Sequence, residues 1–371
     1  MPFCLPVYHP PRFHESPLAG APLARFAPAP ADGVAPPGYH ATSIFPEYVQ
    51  TEPGVWRLLK ASRMDCVVVG HPHGELEVKE FRHLTAGQPV ALGRRENGED
   101  GIYLHTAAFS PPAQATDKFA FRGQLSRESP FSIDYDQLYE LLRFERGHGH
   151  IVWVLGPALV FDADARQAMA GLIEDGFAHA VLAGNALATH DLEAALLGTA
   201  LGQEIYSQRR APLGHYHHLD VINTVRGLGG IQAALEHGLV KDGVVRACLN
   251  KGLPLVLAGS IRDDGPLPGV IADVYQAQDR MRAILRRATT VLGLATQLHA
   301  IAAGNMVPSY QVAEDGTVRP VYFYTVDMSE FAANKLADRG SLSARAILTN
   351  VQDFVVNLAR GLGVKGCPAP E

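Results

Sequence analysis

The sequence predicts an α/β fold: a mostly parallel sheet covered by helices on both faces, preceded by a smaller β-rich domain. Two observations predict it. From about residue 129 onward, short apolar runs alternate with stretches of helical spacing, the pattern of a parallel sheet buried on both sides. Three segments rich in Gly, Ser and Asn also fall in this half, at 183–191, 258–268 and 304–309. The first two directly follow strand-like runs at 180–182 and 255–257, and the third follows the apolar stretch 298–303. Ligands of open α/β sheets bind beyond the carboxyl ends of the strands. Small residues there let backbone N–H groups approach a phosphate, and the N-terminus of the next helix favours negative charge. The pattern points to a nucleotide-using enzyme.

Bulk properties narrow the class. With 371 residues, 47% apolar and 19% charged, the chain has ample length for a large core or two domains. A net charge of −6 and the absence of any Lys/Arg run beyond a pair argue against nucleic acid or an anionic membrane as the main partner. Cys4, Cys66, Cys248 and Cys367 are scattered, which fits free thiols in a reducing compartment and gives neither a zinc motif nor a disulfide framework. No apolar run approaches the length of about 18 residues that spans a bilayer, and no signal peptide is read at the N-terminus. A cytoplasmic protein is the expectation.

Residues 1–37 hold 10 of the 26 prolines, which rules out helix and central strand and predicts an extended arm. Residues 38–128 carry strand-like runs at 67–69, 75–78, 89–92 and 101–104, punctuated by Gly70, Gly74, Gly87, Gly93 and Asn97-Gly98. That predicts a small β-rich domain. Residues 129–371 form the α/β domain. The apolar run 151–160 precedes a helix from Asp164 to Asp175, with Ala168, Leu172 and Ile173 on one face and Gly176 as its stop. Strand 178–183 leads to a helix opening at Thr189, and two helices fill 217–252. Strand 254–259 leads to helix 272–287, strand 289–294 to helix 296–303, and strand 320–326 to helix 328–338. A last helix occupies 350–363.

The polar residues among these elements suggest chemistry. Thr189 is placed as an N-cap with Asp191 in the first turn, and capping explains both residues but not the preceding Gly184-Asn185. Ser260, Arg262, Asp263 and Asp264 share one polar loop after a buried strand. Arg262 suits a substrate carboxylate. An aspartate beside another carboxylate has its pKa raised, which suits Asp264 to a base or an ammonium anchor. The same residues also make an ordinary turn. Asp327 either holds a ribose hydroxyl or caps a helix. His215, His217, His218 and Asp220 match no metal motif, so no metal is expected. No G-x-G-x-x-G follows a strand, so a bound dinucleotide would use another loop arrangement.

Gly156-Pro157-Ala158, the stretch 182–202, His215 with His218 and Asn223, the stretch 256–268, the stretch 304–309, Val326-Asp327, and Lys335-Leu336-Ala337-Asp338-Arg339-Gly340-Ser341 occur in this order. Over about 156–354 they resemble the lysine-oxoglutarate reductase/saccharopine dehydrogenase-related (LOR/SDH) family. That family includes archaeal ornithine cyclodeaminases and the C-terminal half of cyanobacterial bifunctional arginine dihydrolase–ornithine cyclodeaminases. The stretch 38–48 departs from the N-terminal pattern of the archaeal members, so the likeness is placed in the α/β half.

The resemblance implies bound NAD, a fold similar to the NAD domain of deoxyhypusine synthase, and cyclodeamination of ornithine to proline with release of ammonia. Gly184, Asn185, Thr189, Asp191, Gly259, Ser260, Asn305, Met306 and Asp327 are then expected to hold NAD. Asp264 or His190 would take the amine proton, Arg262 would anchor the α-carboxylate, and Asp263 or Glu47 would position the distal amine. His40 and His218 join Glu47 and Arg262 as substrate contacts. The stretch 38–48 is expected to be a lid that excludes water, from the same chain or a neighbouring subunit, and a homo-oligomer is the expected assembly. The alternatives are an NAD-dependent oxidoreductase or lyase acting on another or a modified amino acid, and a non-catalytic NAD-binding regulatory protein.

Overall fold

The computed structural model describes residues 3–110, 131–263, 265–329 and 342–364. In the first hundred residues, short runs broken by Gly and Pro pair into two antiparallel sheets. One is ordered β1 (Arg25–Pro28), β6 (Pro89–Leu92), β4 (Val67–Gly70), β5 (Leu76–Lys79). The other is β3 (Val55–Leu58), β2 (Glu47–Glu52), β7 (Ile102–Leu104). Val49, Leu59, Cys66, Val68, Val78 and Ala91 pack together in the core of this β-rich region. The Pro-rich segment is thus more than an extended arm: it contributes β1, and a short 3-10 turn at Leu18–Gly20. Its strand lies at the sheet edge, where Pro28 breaks no ladder of a central strand.

The α/β half opens with α1 (Phe131–His148) and is built on six parallel strands. These are β8 (Ile151–Leu155), β9 (Ala180–Gly184), β12 (Leu255–Ala258), β13 (Thr290–Leu294), β16 (Tyr322–Asp327) and β17 (Ser343–Leu348), with two short antiparallel hairpins supplying the intervening numbers. Their order across the sheet is β12-β9-β8-β13-β16-β17, and every pairing is parallel. The first strand, β8, therefore lies inside the sheet. The chain winds outward through β9 and β12, then returns to β13 and winds the other way. Both β8 and β13 are buried along their whole length, which is why they read as unbroken apolar runs.

Alternation along β8 feeds two cores. Ile151, Trp153 and Leu155 face α1, α2 (Ala163–Glu174), α3 (Asn185–Leu197), α4 (Gly214–Leu228), α6 (Val244–Asn250) and α9 (Val351–Leu362). Val152 and Val154 face α7 (Val274–Leu285) and α8 (Gln297–Met306). Trp153 is fully buried, and its indole N–H donates to the Phe177 carbonyl at 2.8 Å. The region read as two helices at 217–252 holds three, α4, α5 (Ile231–Glu236) and α6, because Gly229-Gly230 and Gly243 interrupt it. Strand β17 was not expected: its residues are half-buried or exposed, so no apolar run marks it. The helix expected at 328–338 falls largely outside the described residues.

The β-rich region docks on α7, α8 and the hairpin of β14 (Tyr310–Val312) and β15 (Val318–Pro320). Glu80 pairs with Arg63 at 2.9 Å and Arg282 at 2.6 Å, and His83 lies 3.2 Å from Asp279. The Tyr310 hydroxyl donates to the Leu59 carbonyl at 2.6 Å, and Ser309 N–H to the Ser62 carbonyl at 3.2 Å. Burial pushes the Glu80 carboxyl upward, but the Arg63 hydrogen bond and the Arg282 charge outweigh it and hold the group below its ordinary range. A depressed carboxylate stabilises the fold above its unfolded pKa and loses that contribution as pH falls. Glu80→Gln is therefore expected to cost about 3 kcal/mol at neutral pH. In urea titrations at a series of pH values, the difference should shrink as pH drops below about 4.3.

Candidate active site

The strand order reverses between β8 and β13, which is where a doubly wound sheet opens a crevice. Beyond β8 the chain enters a 3-10 turn (Pro157–Phe161), packed on α3 and α2, and beyond β13 it enters α8 on the opposite face. Gly156 N–H donates to the Leu294 carbonyl at 2.8 Å. A Cβ at Gly156 would lie 1.9 Å from the Ala295 carbonyl oxygen, so only glycine fits the crossing. A Cβ at Gly184 would lie 2.9 Å from Cε1 of His299.

Helix capping is mixed along this edge. Asp162, Asp273 and Asn350 each cap the helix that follows them, accepting from Ala165, Gln276 and Gln352 N–H at 2.7 to 2.9 Å. Helices α3 and α8 begin at Gly184 and Thr296 with no side-chain cap. Their first N–H groups have no side-chain partner at the cap, a geometry that suits an anion. Gly184 is extended and α3 starts at Asn185, so Thr189 is not the cap and Asp191 is not in the first turn, contrary to the sequence-based placement.

Asn185 braces the loop after β12. Its Nδ2 donates to Asp263 Oδ1 at 3.3 Å, and its Oδ1 accepts from Leu267 N–H at 3.0 Å and the Thr189 hydroxyl at 3.3 Å. Asp263 Oδ2 accepts from Ser260 N–H at 2.8 Å, and Ser260 Oγ from Arg262 N–H at 3.1 Å. Asn185, Thr189, Ser260 and Asp263 thus fix the loop to α3, while Arg262 reaches into solvent. Gly259 N–H is bonded to the Ile271 carbonyl. Asp264 lies outside the described residues. Asp327 sits at the carboxyl end of β16 and accepts from Ser329 N–H at 2.8 Å.

His299, in the first turn of α8, was missed because it sits inside an apolar stretch. Burial pushes its pKa below the ordinary histidine value, against the opposing charge of Asp263. It completes a rim of Gly156, Gly184, Asn185, Gly259, Ser260, Arg262, Asp263 and Asp327 along the carboxyl edge.

Helix α3 is buried on every side of its first three turns, polar residues included. Asp191 is fully buried. It accepts from Arg166 Nε at 2.6 Å and from Val244 and Val245 N–H at 3.2 and 2.8 Å, so it caps α6 and is not a cofactor ligand in this chain. Glu193 is also fully buried. It accepts from His190 Nδ1 at 2.8 Å, the Thr199 hydroxyl at 2.9 Å, and Leu201 and Gly202 N–H at 3.1 and 2.9 Å. Burial pushes this carboxyl up, but the bonds from His190, Gly202 and Thr199 prevail and hold it below its ordinary value. His217 Nδ1 lies 2.7 Å from the Thr199 hydroxyl, and the His190 ring packs beside Phe161 and His218. His215 and Asp220 are exposed on α4. Among the described residues no group of three or more His, Cys, Asp or Glu side chains is arranged to hold a metal ion.

Four expected site residues lie elsewhere. His40 and Glu47 form a buried pair at 2.8 Å in the β-rich region, with Glu47 opening β2 and not sitting in a loop. Glu47 carbonyl bonds Leu59 N–H, and the Leu59 carbonyl bonds Tyr310, which places the pair on the amino-edge side of the large sheet. Within one chain, then, 38–48 is no lid over the carboxyl edge. Asn305 and Met306 end α8 at that same amino edge, since Ser309 carbonyl bonds Val321 N–H just before β16. Arg63 donates to the Asn305 carbonyl, and Met306 is buried in the core.

Strand order, crevice and uncapped helix N-termini define an α/β protein of the doubly wound, dinucleotide-binding class. The chain belongs to the arginine dihydrolase ArgZ-like, C-terminal, Rossmann-fold family, whose model matches residues 137–358. It is 39% identical to an ornithine cyclodeaminase of Methanopyrus kandleri over 340 residues, 91% of this chain and 78% of that protein. A match of that length extends well into the β-rich region, so the likeness is not confined to the α/β half. A conserved LOR/SDH protein from Methanococcus maripaludis superposes with a TM-score of 0.82 at 34% identity, covering 92% of this chain and 98% of that one. The bifunctional AgrE, crystallised with ornithine and NAD+, superposes at 0.58 and 31% identity over 93% of this chain and 46% of that one.

Two outcomes follow for the site. Asp191→Asn should behave as a stability variant, costing about 3 kcal/mol or more in urea unfolding because it breaks a buried ion pair, with nucleotide affinity of the folded protein unchanged. His299 should titrate below about 6.5 in a histidine NMR pH series, and a midpoint above that would show that Asp263 outweighs burial.

Proposed function

We propose that this chain is an NAD-dependent cyclodeaminase that converts L-ornithine, or a close diamino acid, to the cyclic amino acid with release of ammonia. For ornithine the product is proline. The observation that carries the reading is its 39% and 37% identity to archaeal ornithine cyclodeaminases over nine-tenths of the chain. The carboxyl edge supports it. The free N–H groups that open α3 and α8 suit a pyrophosphate, Gly156 and Gly184 allow close backbone approach, and Asp327 suits a ribose hydroxyl. NAD supplies the hydride acceptor and donor for such a reaction.

The remaining work falls to the chain's own residues. Arg262 is the proposed anchor of the α-carboxylate, and Asp264 or His190 the acceptor of the amine proton. Asp263 is committed to its loop, so it contributes negative charge near His299 more than a free ligand for the distal amine. A homo-oligomer fits the exposed apolar side chains Ile261, Leu298 and Met328 on this edge. A reducing, cytoplasmic setting fits the free thiols of Cys66 and Cys248. Among the described residues no helix is long and apolar enough to cross a membrane.

The test is direct. Heat-denatured protein should release NAD, identified by mass spectrometry, and the native protein should yield equal ammonia and proline from L-ornithine with no net NADH. Absence of nucleotide together with no ammonia from ornithine, lysine or diaminobutyrate would sink the reading. Arg262→Ala should raise KM for ornithine by about tenfold or more, the loss of one charge-assisted pair. An unchanged KM would remove Arg262 from the substrate site.

A further inference from the structure

We propose that Glu193 is a positioning residue that holds His190 as its Nδ1–H tautomer and leaves Nε2 as the acceptor for the substrate's amine proton. The tautomer follows from hydrogen-bond bookkeeping. An ionised carboxylate only accepts. Glu193 Oε1 takes the Thr199 hydroxyl and Gly202 N–H, and Oε2 takes Leu201 N–H and His190 Nδ1. All four acceptor positions are filled, so the hydrogen between Glu193 and His190 belongs to Nδ1. Thr199 gives its one hydroxyl hydrogen to Glu193, so His217 Nδ1, 2.7 Å away, must donate to the Thr199 oxygen. One buried carboxylate thereby fixes two histidines in the tautomer that free imidazole disfavours.

No bond to His190 Nε2 occurs among the described residues, and the ring keeps a margin of exposure, 8% for the residue. Its neighbours are the Phe161 ring at 5.4 Å, from the turn that leaves Gly156, and His218 of α4 at 6.4 Å between ring centres. The titratable groups packed about it are Glu193 on its own helix, His218 and, through Thr199, His217 on α4. The step balances without another reactant. The Nε2 lone pair takes a proton from the substrate ammonium, giving the free amine and an imidazolium, and the adjacent Glu193 carboxylate compensates the new charge while remaining ionised. The proton is returned to the departing ammonia or to water. This is the arrangement of base and orienting carboxylate that fixes a histidine's role in general-base sites.

The substrate assignment rests on the cyclodeaminase reading, but the tautomer does not, and the experiment separates them. Purified holoprotein labelled with 15N-histidine is examined by long-range proton–nitrogen NMR at a pH where the rings are neutral, with His190→Asn and His217→Asn assigning the signals. Both rings are expected in the Nδ1–H form. Glu193→Gln should release His190 from that form and lower kcat for ornithine by about 100-fold or more, with KM little changed. Should Glu193→Gln fail to fold, Thr199→Val provides the second arm: His217 should lose its fixed tautomer and His190 keep it. An Nε2–H signal for His190 in the unaltered protein overturns the proposal, as does near-normal kcat in His190→Asn. If the unaltered protein does not turn over ornithine, the substrate reading fails while the NMR arms still decide the role of Glu193.

Discussion

The contact between β8 and β13 at Gly156 sets the rest of the molecule. These two strands stay paired to their last residues, with Gly156 N–H on the Leu294 carbonyl and no room for a Cβ. Past that point they must part. Crossovers of one hand carry the first winding to α2 and α3 on one face and the second to α7 and α8 on the other. The N-termini of α3 and α8 are thus brought to one edge from opposite sides, which no single βαβ unit does. Without side-chain caps, their first N–H groups are met by water or by a ligand.

Helix α3 carries the second constraint. Asp191 and Glu193 are two residues apart, so on an α-helix they face nearly opposite directions. Burying either carboxylate unpaired would be prohibitive. Asp191 is spent on the framework, joining Arg166 of α2 to the first turn of α6. Glu193 faces the other way, toward β10 (Thr199–Ala200) and α4, and holds His190 and the backbone of 201–202. One helix therefore locks the core with one face and orients a proton-handling side chain with the other, and both faces are rigid for the same electrostatic reason.

The parallel sheet was legible because strands buried on both faces leave unbroken apolar runs, as at 151–155 and 290–294. Strand β17 left none, being a half-exposed edge. The site was legible only in part. Gly184-Asn185 and the loop at 259–263 were placed correctly at the carboxyl edge, because a loop that follows a strand must lie there. The segment 304–309 closes α8 and leaves it, and the end of a helix that returns to the next strand lies at the amino edge. Its small residues resembled a phosphate loop, but the alternation of elements excluded that position within one chain. Thr189 was misread as a cap because α3 starts without one, and a missing cap leaves no mark in sequence. His299 was hidden by its apolar neighbours, and the role of Glu193 by the fact that burial of a polar side chain is visible only through its partners in the fold, such as the backbone of 201–202.

The misplaced segment still bears on the crevice, through α8. Ten residues of helix span about 15 Å, from His299 and the free N–H groups at the carboxyl edge to Asn305 and Met306 at the other. The far end is held by Arg63 of the β-rich region on the Asn305 carbonyl and by burial of Met306 among Val152, Phe323 and their neighbours. Arg63 is held in turn by Glu80, which also binds Arg282 of α7. The two helices on this face are thus fixed at their ends by one small charged cluster. A helix packed along its length transmits a shift at one end to the other with little loss, because interiors at crystal-like density do not absorb displacement. Among the described residues the β-rich region contributes no side chain to the carboxyl edge of its own chain; it braces the far end of the helix that carries His299.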